Sequence, residues 1–133
     1  MAAVIAIVGL LVTLVIPRLG PAFDWIATDA AARDVTTAIS VARAAAVMQG
    51  TRARLHLASD SLRVDREGPA GWEPYARWPG PAHAGVAMSV SNADLVFGPI
   101  GIGWGPANTT VVLGRGSHFA TITTSRLGRV KRR

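Results

Sequence analysis

The chain has 133 residues, half of them apolar, and it contains no cysteine. This length suits one small domain with an additional helix, and the lack of cysteine excludes disulfides and thiolate metal sites in this chain. The net charge of +6 lies entirely in residues 115–133, because residues 1–114 carry equal numbers of Arg and acidic residues. Such an end can attract phosphates, acidic partners or anionic lipid headgroups, or it can simply be a solvated terminal strand.

Residues 1–16 form an uncharged apolar run that ends at Pro17 and Arg18. As a helix this run would measure about 24 Å at ~1.5 Å per residue, somewhat less than the ~30 Å core of a bilayer. No basic residue precedes it and no convincing cleavage site follows it, so it does not resemble a secretory signal peptide. Since a small domain has little core for such a helix, we predict a transmembrane helix over residues 1–23, with a buried core helix as the alternative.

Within this segment, Gly9 and Thr13 form a small-x-x-x-small pair, a spacing that lets membrane helices approach closely. A chance pairing in an Ala/Gly-rich run is the alternative. Pro17 and the Gly20-Pro21 pair are expected to interrupt the helix.

A second, amphipathic helix is predicted over residues 24–50, with Asp24 as its N-cap and Gly50 as its C-terminal stop. Val35, Ile39 and Ala42 fall on one narrow apolar face, and the opposite arc is polar. This half of the helix is therefore expected to lie against a β-sheet.

From residue 51 onward the apolar residues recur with a period of two, which is typical of antiparallel strands with one buried face. Loops are predicted over residues 67–71, 79–85 and 97–106, and Pro74 is expected to break the third strand. The predicted strands are 52–57, 62–65, 72–78, 86–90, 94–97, 109–113, 118–124 and 128–132. One long helix followed by many short strands predicts an α+β fold, with the helix packed on a small antiparallel β-sheet domain, residues 51–133.

The sequence offers no evident catalytic set. His56, His83 and His118 are far apart, and Ser117 is expected to point away from its neighbour His118 on a strand, so the two do not form a nucleophile–base pair. Residues 101–105 are Gly-rich but lack the helix and the Lys of a nucleotide-binding loop. We therefore expect a protein that is not an enzyme and that holds no cofactor or metal.

The run AVIAIVGLLVTLVIPRL, followed by an Ala-rich amphipathic helix, resembles the N-terminus of type IV pilins and type II secretion pseudopilins. Gly9 and Pro17 match the family's mid-helix Gly and its Pro near the membrane exit. Further along, SVARAAAVMQGTRARLHL, FGPIG (97–101) and GRVK (128–131) resemble, in order and approximate spacing, motifs of H-type minor pseudopilins and FimT-like minor pilins. Ala45 replaces the acidic residue that is common in the first of these motifs.

The sequence departs from that family at its start, where the leader, the cleavage site and the N-terminal glutamate are missing. The glutamate would align immediately before Met1, and the resemblance implies that it pairs with a neighbouring subunit's amine, since a lone carboxylate in lipid is costly. Either the start codon is assigned at an internal Met, which we favour, or the protein is a degenerate copy.

The resemblance implies a minor pseudopilin of the type II secretion system, held in the bacterial inner membrane by one span with its C-terminal domain in the periplasm. Expected partners are other minor and major pseudopilins, the inner-membrane assembly platform and, if an upstream leader exists, prepilin peptidase. Helix packing in the assembly is expected to use Gly9, Thr13, Pro17, Val35, Ile39 and Ala42.

The alternative implied by the resemblance is a FimT-like minor pilin of a type IV pilus that binds DNA through its basic C-terminus. No aromatic residue alternates with these cations in the sequence, so no platform for base stacking is predicted. The DNA-binding or acidic-partner contacts would come from Arg126, Arg129, Lys131, Arg132 and Arg133.

Overall fold

The structure, a computed structural model, describes the backbone of residues 2–133 and the side chains of residues 4–7 and 19–133. Within these residues, one long helix, α1 (Ala2–Gln49), precedes eight strands, and a short 3-10 helix (Pro81–Ala84) follows the third strand. The strands are β1 (Ala53–Leu57), β2 (Ser61–Gly68), β3 (Gly71–Pro79), β4 (Ala87–Val90), β5 (Asp94–Phe97), β6 (Thr109–Arg115), β7 (His118–Thr124) and β8 (Val130–Arg132). The predicted α+β fold is confirmed.

Helix α1 is continuous, so the predicted interruption at Pro17 and Gly20-Pro21 is wrong. Proline holds φ near −65°, which is a helical value, so each proline removes one backbone hydrogen bond without forcing the helix to end. Asp24 consequently lies inside the helix and is not its N-cap. The predicted stop at Gly50 is confirmed, because this glycine has a φ of 62° and follows the last helical residue.

The strands form two four-stranded antiparallel sheets. Sheet A has the order β3-β2-β1-β5, and sheet B has the order β4-β6-β7-β8. The chain therefore enters sheet B with β4, returns to sheet A with β5, and then completes sheet B. The inner faces of both sheets are turned towards α1, and the outer faces are turned towards solvent.

Strand β3 runs through Pro74, so the predicted break is wrong. β3 is the edge strand of sheet A, where a residue without an N–H group is tolerated. The pairing shifts here, since Val64 faces Ala76 and Asp65 faces Pro74, which leaves Tyr75 as an extra residue in a bulge.

Several other boundaries differ from the predictions: β1 and β4 begin one residue later than predicted, and β6 extends to Arg115. The predicted loop at residues 67–71 narrows to a two-residue turn, because β2 reaches Gly68 and β3 begins at Gly71. Strand β8 begins at Val130 instead of at Gly128. Gly128 has a φ of 80° and belongs to the turn before the strand.

The core lies between α1 and the two sheets. Small side chains on α1 let the helix approach both sheets closely, and the larger side chains come mainly from the strands. The fully buried helix residues include Val35, Ile39 and Ala42. Their largest buried neighbours in the cluster are Phe97, Leu55, Leu62, Leu95, Leu113 and Ile122.

Among the described residues, no helical segment has both the length and the apolar character that a membrane crossing needs. Gly9, Thr13 and Pro17, which we predicted to take part in helix packing, lie outside the residues whose side chains the structure describes. The membrane span over residues 1–23 stays a prediction.

Candidate functional site

The stretch of α1 that precedes its buried apolar face exposes large apolar side chains. We call residues 19–26 the proximal segment. Leu19, Phe23, Trp25 and Ile26 are 41%, 57%, 57% and 54% exposed. Because Leu19, Phe23 and Ile26 are spaced at i, i+4 and i+7, they share one face of the helix.

Sequence reasoning missed this apolar face, because a helix break was predicted at the same residues. The signal was nevertheless present, since the helical spacing is regular once the prolines are accommodated. A contiguous apolar surface that solvent reaches is typical of a surface that another molecule covers.

Ion pairs fix the direction in which the proximal segment leaves the domain. The Asp24 carboxylate lies 2.9 Å from Arg115 Nε, at the hairpin between β6 and β7. One turn later, Asp29 pairs with Arg33 on the helix and with Arg132 on β8. The start of the packed helix is thereby tied to sheet B at two points.

Val35, Ile39 and Ala42 lie farther along the helix and are buried against the sheets of their own chain. Substitution at these positions would therefore act first on folding. Their predicted role in contacts between subunits stays a prediction.

The basic C-terminal residues divide between two faces of sheet B. On β8, Arg132 lies opposite the buried Ile122, and Lys131 lies opposite the exposed Thr123. Arg132 therefore faces α1, which agrees with its ion pair to Asp29. Arg129 and Arg133 alternate in phase with Lys131, which places these three cations on the outer face.

Arg126 stands apart from the outer cations of β8, in the turn before that strand. Its backbone N–H donates to Asn108 Oδ1 at 2.7 Å, and its Nε donates to the carbonyl of Gly103 at 3.4 Å. The structure thus brings Arg126 to the loop at residues 98–105.

The outer face of sheet B also carries an aromatic residue that sequence reasoning did not associate with the cations. Phe119 on β7 is 70% exposed and alternates in phase with Thr121 and Thr123. Since Thr123 faces Lys131 and Thr121 bonds to Arg133 through the backbone, the ring shares a surface with both cations. The association was missed because it depends on which strands are paired.

On the outer face of sheet A, two arginines each bind a carboxylate and lie beside a tryptophan ring. Arg52 donates to both Glu67 oxygens, at 2.7 and 2.5 Å, and lies 5.3 Å from the centre of the Trp104 ring. Arg54 donates to Asp65 at 2.9 Å and lies 4.7 Å from the Trp72 ring.

The bidentate hydrogen bond between Arg52 and Glu67 also shifts the acid–base equilibria of both groups. It raises the pKa of the Arg52 guanidinium and lowers the pKa of the Glu67 carboxyl. Both groups are charged at neutral pH, so the pair holds the start of β1 to the end of β2.

The three histidines occupy separate elements. His56 Nδ1 lies 2.7 Å from Asp94 Oδ1, between β1 and β5. His83 Nε2 lies 3.1 Å from the carbonyl of Asp60, and His118 begins β7. The fold therefore brings no two of these rings into one site.

Comparison with solved structures finds pilin-like proteins. The type IV minor pilin FimU of Pseudomonas aeruginosa is 18% identical with a TM-score of 0.65, and the match covers 78% of this chain and 86% of FimU. EpsH, a minor pseudopilin of the type II secretion system of Vibrio cholerae, is 11% identical with a TM-score of 0.63, over 79% of this chain and 94% of EpsH. GspH of E. coli is 14% identical with a TM-score of 0.57, and the match covers 83% of this chain and 91% of GspH.

No protein-family model and no curated protein matches the sequence. At these identities the structural likeness establishes the fold. The chain thus has the pilin-like fold that minor pilins and minor pseudopilins share. This agrees with the resemblance found in the sequence.

Proposed function

We propose that this chain is a minor pseudopilin, a structural subunit that packs with other pilin-like subunits in the pseudopilus of a type II secretion system. The observation that carries the proposal is the division of α1. Residues 31–46 bury their apolar face in the chain's own domain, whereas the proximal segment exposes the face formed by Leu19, Phe23 and Ile26. Burying that face requires a surface from outside the chain's own domain.

In this proposal the chain carries out no bond chemistry. The apolar N-terminal residues hold the subunit in the bacterial inner membrane, and the domain lies in the periplasm. The partners are other minor and major pseudopilins and the inner-membrane assembly platform, with prepilin peptidase acting first if an upstream leader exists. The pilin-like fold that the chain shares with EpsH and GspH supports a role in assembly with other pilin-like subunits.

Co-purification from membranes tests the role in assembly. We expect Phe23→Asp with Ile26→Asp to abolish recovery of pilin-like partner subunits, because two carboxylates would have to be buried without partners. Phe119→Asp is the matched control, since Phe119 is equally large and even more exposed but lies on sheet B. Unchanged recovery with the doubly substituted helix, at normal levels of folded protein, would contradict the proposal.

A second candidate is a minor pilin of a type IV pilus that binds DNA. The solved structure of FimU, a type IV minor pilin, has the same fold. The arrangement that favours DNA binding is the outer face of sheet B, where Lys131 and Arg133 share a surface with the exposed ring of Phe119 and Arg129 lies farther along the same edge. Cations bind phosphates and an exposed ring can stack on a base.

Titration of the full chain in detergent with duplex DNA, at two salt concentrations, separates the two candidates. Three phosphate contacts predict a slope of about −2.7 in a plot of log affinity against log salt concentration. Arg129→Ala with Lys131→Ala should reduce this slope, whereas Arg77→Ala, an exposed cation on sheet A, should not. Lack of binding at low salt would eliminate the DNA-binding candidate and leave the first.

A further inference from the structure

The end of the domain farthest from the proximal segment carries a second exposed apolar surface. We call it the apical surface, and it consists of Val47, Ile100 and Leu127 together with Arg43, Arg126 and Arg129. Val47, Ile100 and Leu127 are 51%, 78% and 73% exposed. They come from the last turn of α1, from the loop at residues 98–105, and from the turn at residues 125–128.

Arg43 holds these three pieces of chain together. A Cβ atom built on Gly101 would lie 3.2 Å from both Arg43 Nε and Val47 Cγ2. A Cβ atom built on Gly128 would lie 2.8 Å from the Arg43 guanidinium, which also donates to the Gly128 carbonyl at 3.3 Å. The long side chain of Arg43 therefore lies between two loops that approach it closely.

Backbone hydrogen bonds connect the two loops to each other and to the sheets. The Gly103 N–H donates to the Arg126 carbonyl at 2.7 Å, which joins one loop to the other. The Trp104 N–H donates to Val96 at 2.7 Å, and the Gly128 N–H donates to Ser125 at 2.9 Å. Ile100 and Leu127 are thus presented on a preorganised surface, which lowers the entropy cost of binding.

The charge on the apical surface has one sign. Arg43, Arg126 and Arg129 take part in none of the salt bridges of the described residues. By contrast, Glu67 and Glu73, the acidic residues on the neighbouring hairpin, are already paired with Arg52 and Arg66. An apolar centre with unneutralised guanidinium groups is complementary to an apolar surface that carries carboxylates.

We infer that the apical surface docks a carboxylate-bearing apolar segment of a different pilin-like subunit. This inference rests on the proposed function, because it identifies the chemistry of one partner within the same assembly. A protein partner fits better than a nucleic acid, since the exposed side chains of Ile100 and Leu127 would be buried favourably only by an apolar surface.

Site-specific photo-crosslinking in cells tests the inference. A photoreactive residue replaces Ile100 or Leu127 in the full chain, expressed from its own locus, and Ser59 in the exposed turn after β1 serves as the control position. We expect positions 100 and 127, but not 59, to form an adduct with a pilin-like subunit. Mass spectrometry should place the adduct in an apolar stretch flanked by Asp or Glu.

Charge reversal provides the matched comparison. Arg126→Glu with Arg129→Glu should lower the adduct yield about tenfold, a loss equivalent to one decade of affinity, whereas Arg77→Glu should leave it unchanged. Circular dichroism checks that each variant is folded. A yield at position 100 no higher than at position 59, or a yield insensitive to the charge reversal, would overturn the inference.

The identity of the adduct also decides the outcome. An adduct with DNA or with a second copy of this chain would overturn the inference as well. If co-purification of pilin-like partners still depends on Phe23 and Ile26 while positions 100 and 127 stay unlinked, only this inference fails and the proposed function stands.

Discussion

Arg43 on α1 donates a hydrogen bond at 3.3 Å to the carbonyl of Gly128, which is 85 residues later in the chain. The bond connects the helix to the turn that leads into β8. Because Gly128 adopts a φ of 80°, its carbonyl is presented to Arg43 by a backbone conformation that disfavours any side chain. The helix and the basic C-terminal strand are thus positioned by the same contact.

Gly128→Ala should lower the free energy of unfolding by more than Gly105→Ala does. Both glycines have positive φ, so both substitutions carry the left-handed backbone cost of about 1–2 kcal/mol. Only the Cβ atom at position 128 would meet Arg43, because nothing lies within 4 Å of the same atom at position 105. Urea unfolding of both variants measures the difference.

The Arg43→Ala background identifies the cause of that difference. There the additional loss at position 128 should disappear, because the clashing guanidinium is gone. If Gly128→Ala and Gly105→Ala lower the free energy of unfolding equally when Arg43 is present, the close approach of Arg43 to Gly128 is contradicted.

Ala42→Leu should destabilise the domain by about 1–3 kcal/mol, because additional methylene groups cannot be placed in a closely packed core without strain. Ala42 is fully buried between α1 and the sheets. Ala44→Leu is the control, since Ala44 is exposed on the same helix and leucine is a good helix former. In thermal unfolding, Ala42→Leu should have a lower melting temperature than Ala44→Leu. A similar melting temperature for both variants would contradict the packing of this helix face.

The Arg52–Glu67 pair predicts a pH-dependent term in stability. The hydrogen bond lowers the pKa of Glu67 below its ordinary value of 4.5. The pair therefore stabilises the folded state fully at a pH above 4.5. This stabilisation is lost as the pH falls through the lower pKa that Glu67 has in the folded protein. The effect should be small, because both side chains are partly exposed to solvent.

Melting temperatures of the wild type and of Glu67→Gln, compared from neutral pH downward, measure this term. The difference between the two proteins should shrink as the carboxyl takes up its proton. The double variant Arg52→Gln with Glu67→Gln should lack this part of the pH dependence. If the difference in melting temperature between the wild type and Glu67→Gln does not change with pH, the Arg52–Glu67 pair contributes no pH-dependent stability.

Arg132→Ala should loosen β8 without unfolding the domain. The Arg132–Asp29 pair connects this edge strand to α1, and a partly exposed pair contributes about 1 kcal/mol or less. Hydrogen exchange should therefore accelerate at the β8 amides and at their partners in β7. Lys131→Ala, on the outer face of the same strand, should leave exchange unchanged, and equal acceleration in both variants would contradict the assignment of faces.

Local patterns in the sequence predicted most of the elements. The period of two located β5 and β7 with their observed limits and β1 to within one residue, and Gly50 marked the end of α1. The burial of Val35 and Ile39 on a sheet likewise follows from helical spacing. These features depend on a few neighbouring residues, so they can be recognised without knowledge of the fold.

The features that depend on distant pairing could not be recognised in this way. Pro74 lies within a strand only because β3 is an edge strand, with a bulge at Tyr75 next to the proline. The return of the chain from β4 to β5 in sheet A, and the placement of Phe119 beside the β8 cations, follow from which strands pair. The exposed proximal segment was missed because Pro17 and Pro21 were expected to end the helix.

Disulfide crosslinking at the proximal segment in intact cells tests most directly whether another subunit covers this helix face. The chain has no cysteine, so Phe23→Cys introduces a single thiol on the exposed apolar face, and Ser59→Cys provides the control. We expect Phe23→Cys to form a disulfide with a cysteine placed on the helix of a pilin-like subunit, and Ser59→Cys to form none. If the thiol at position 23 instead stays unlinked and reacts freely with a bulky aqueous maleimide, the helix face is not covered and the assembly role is contradicted.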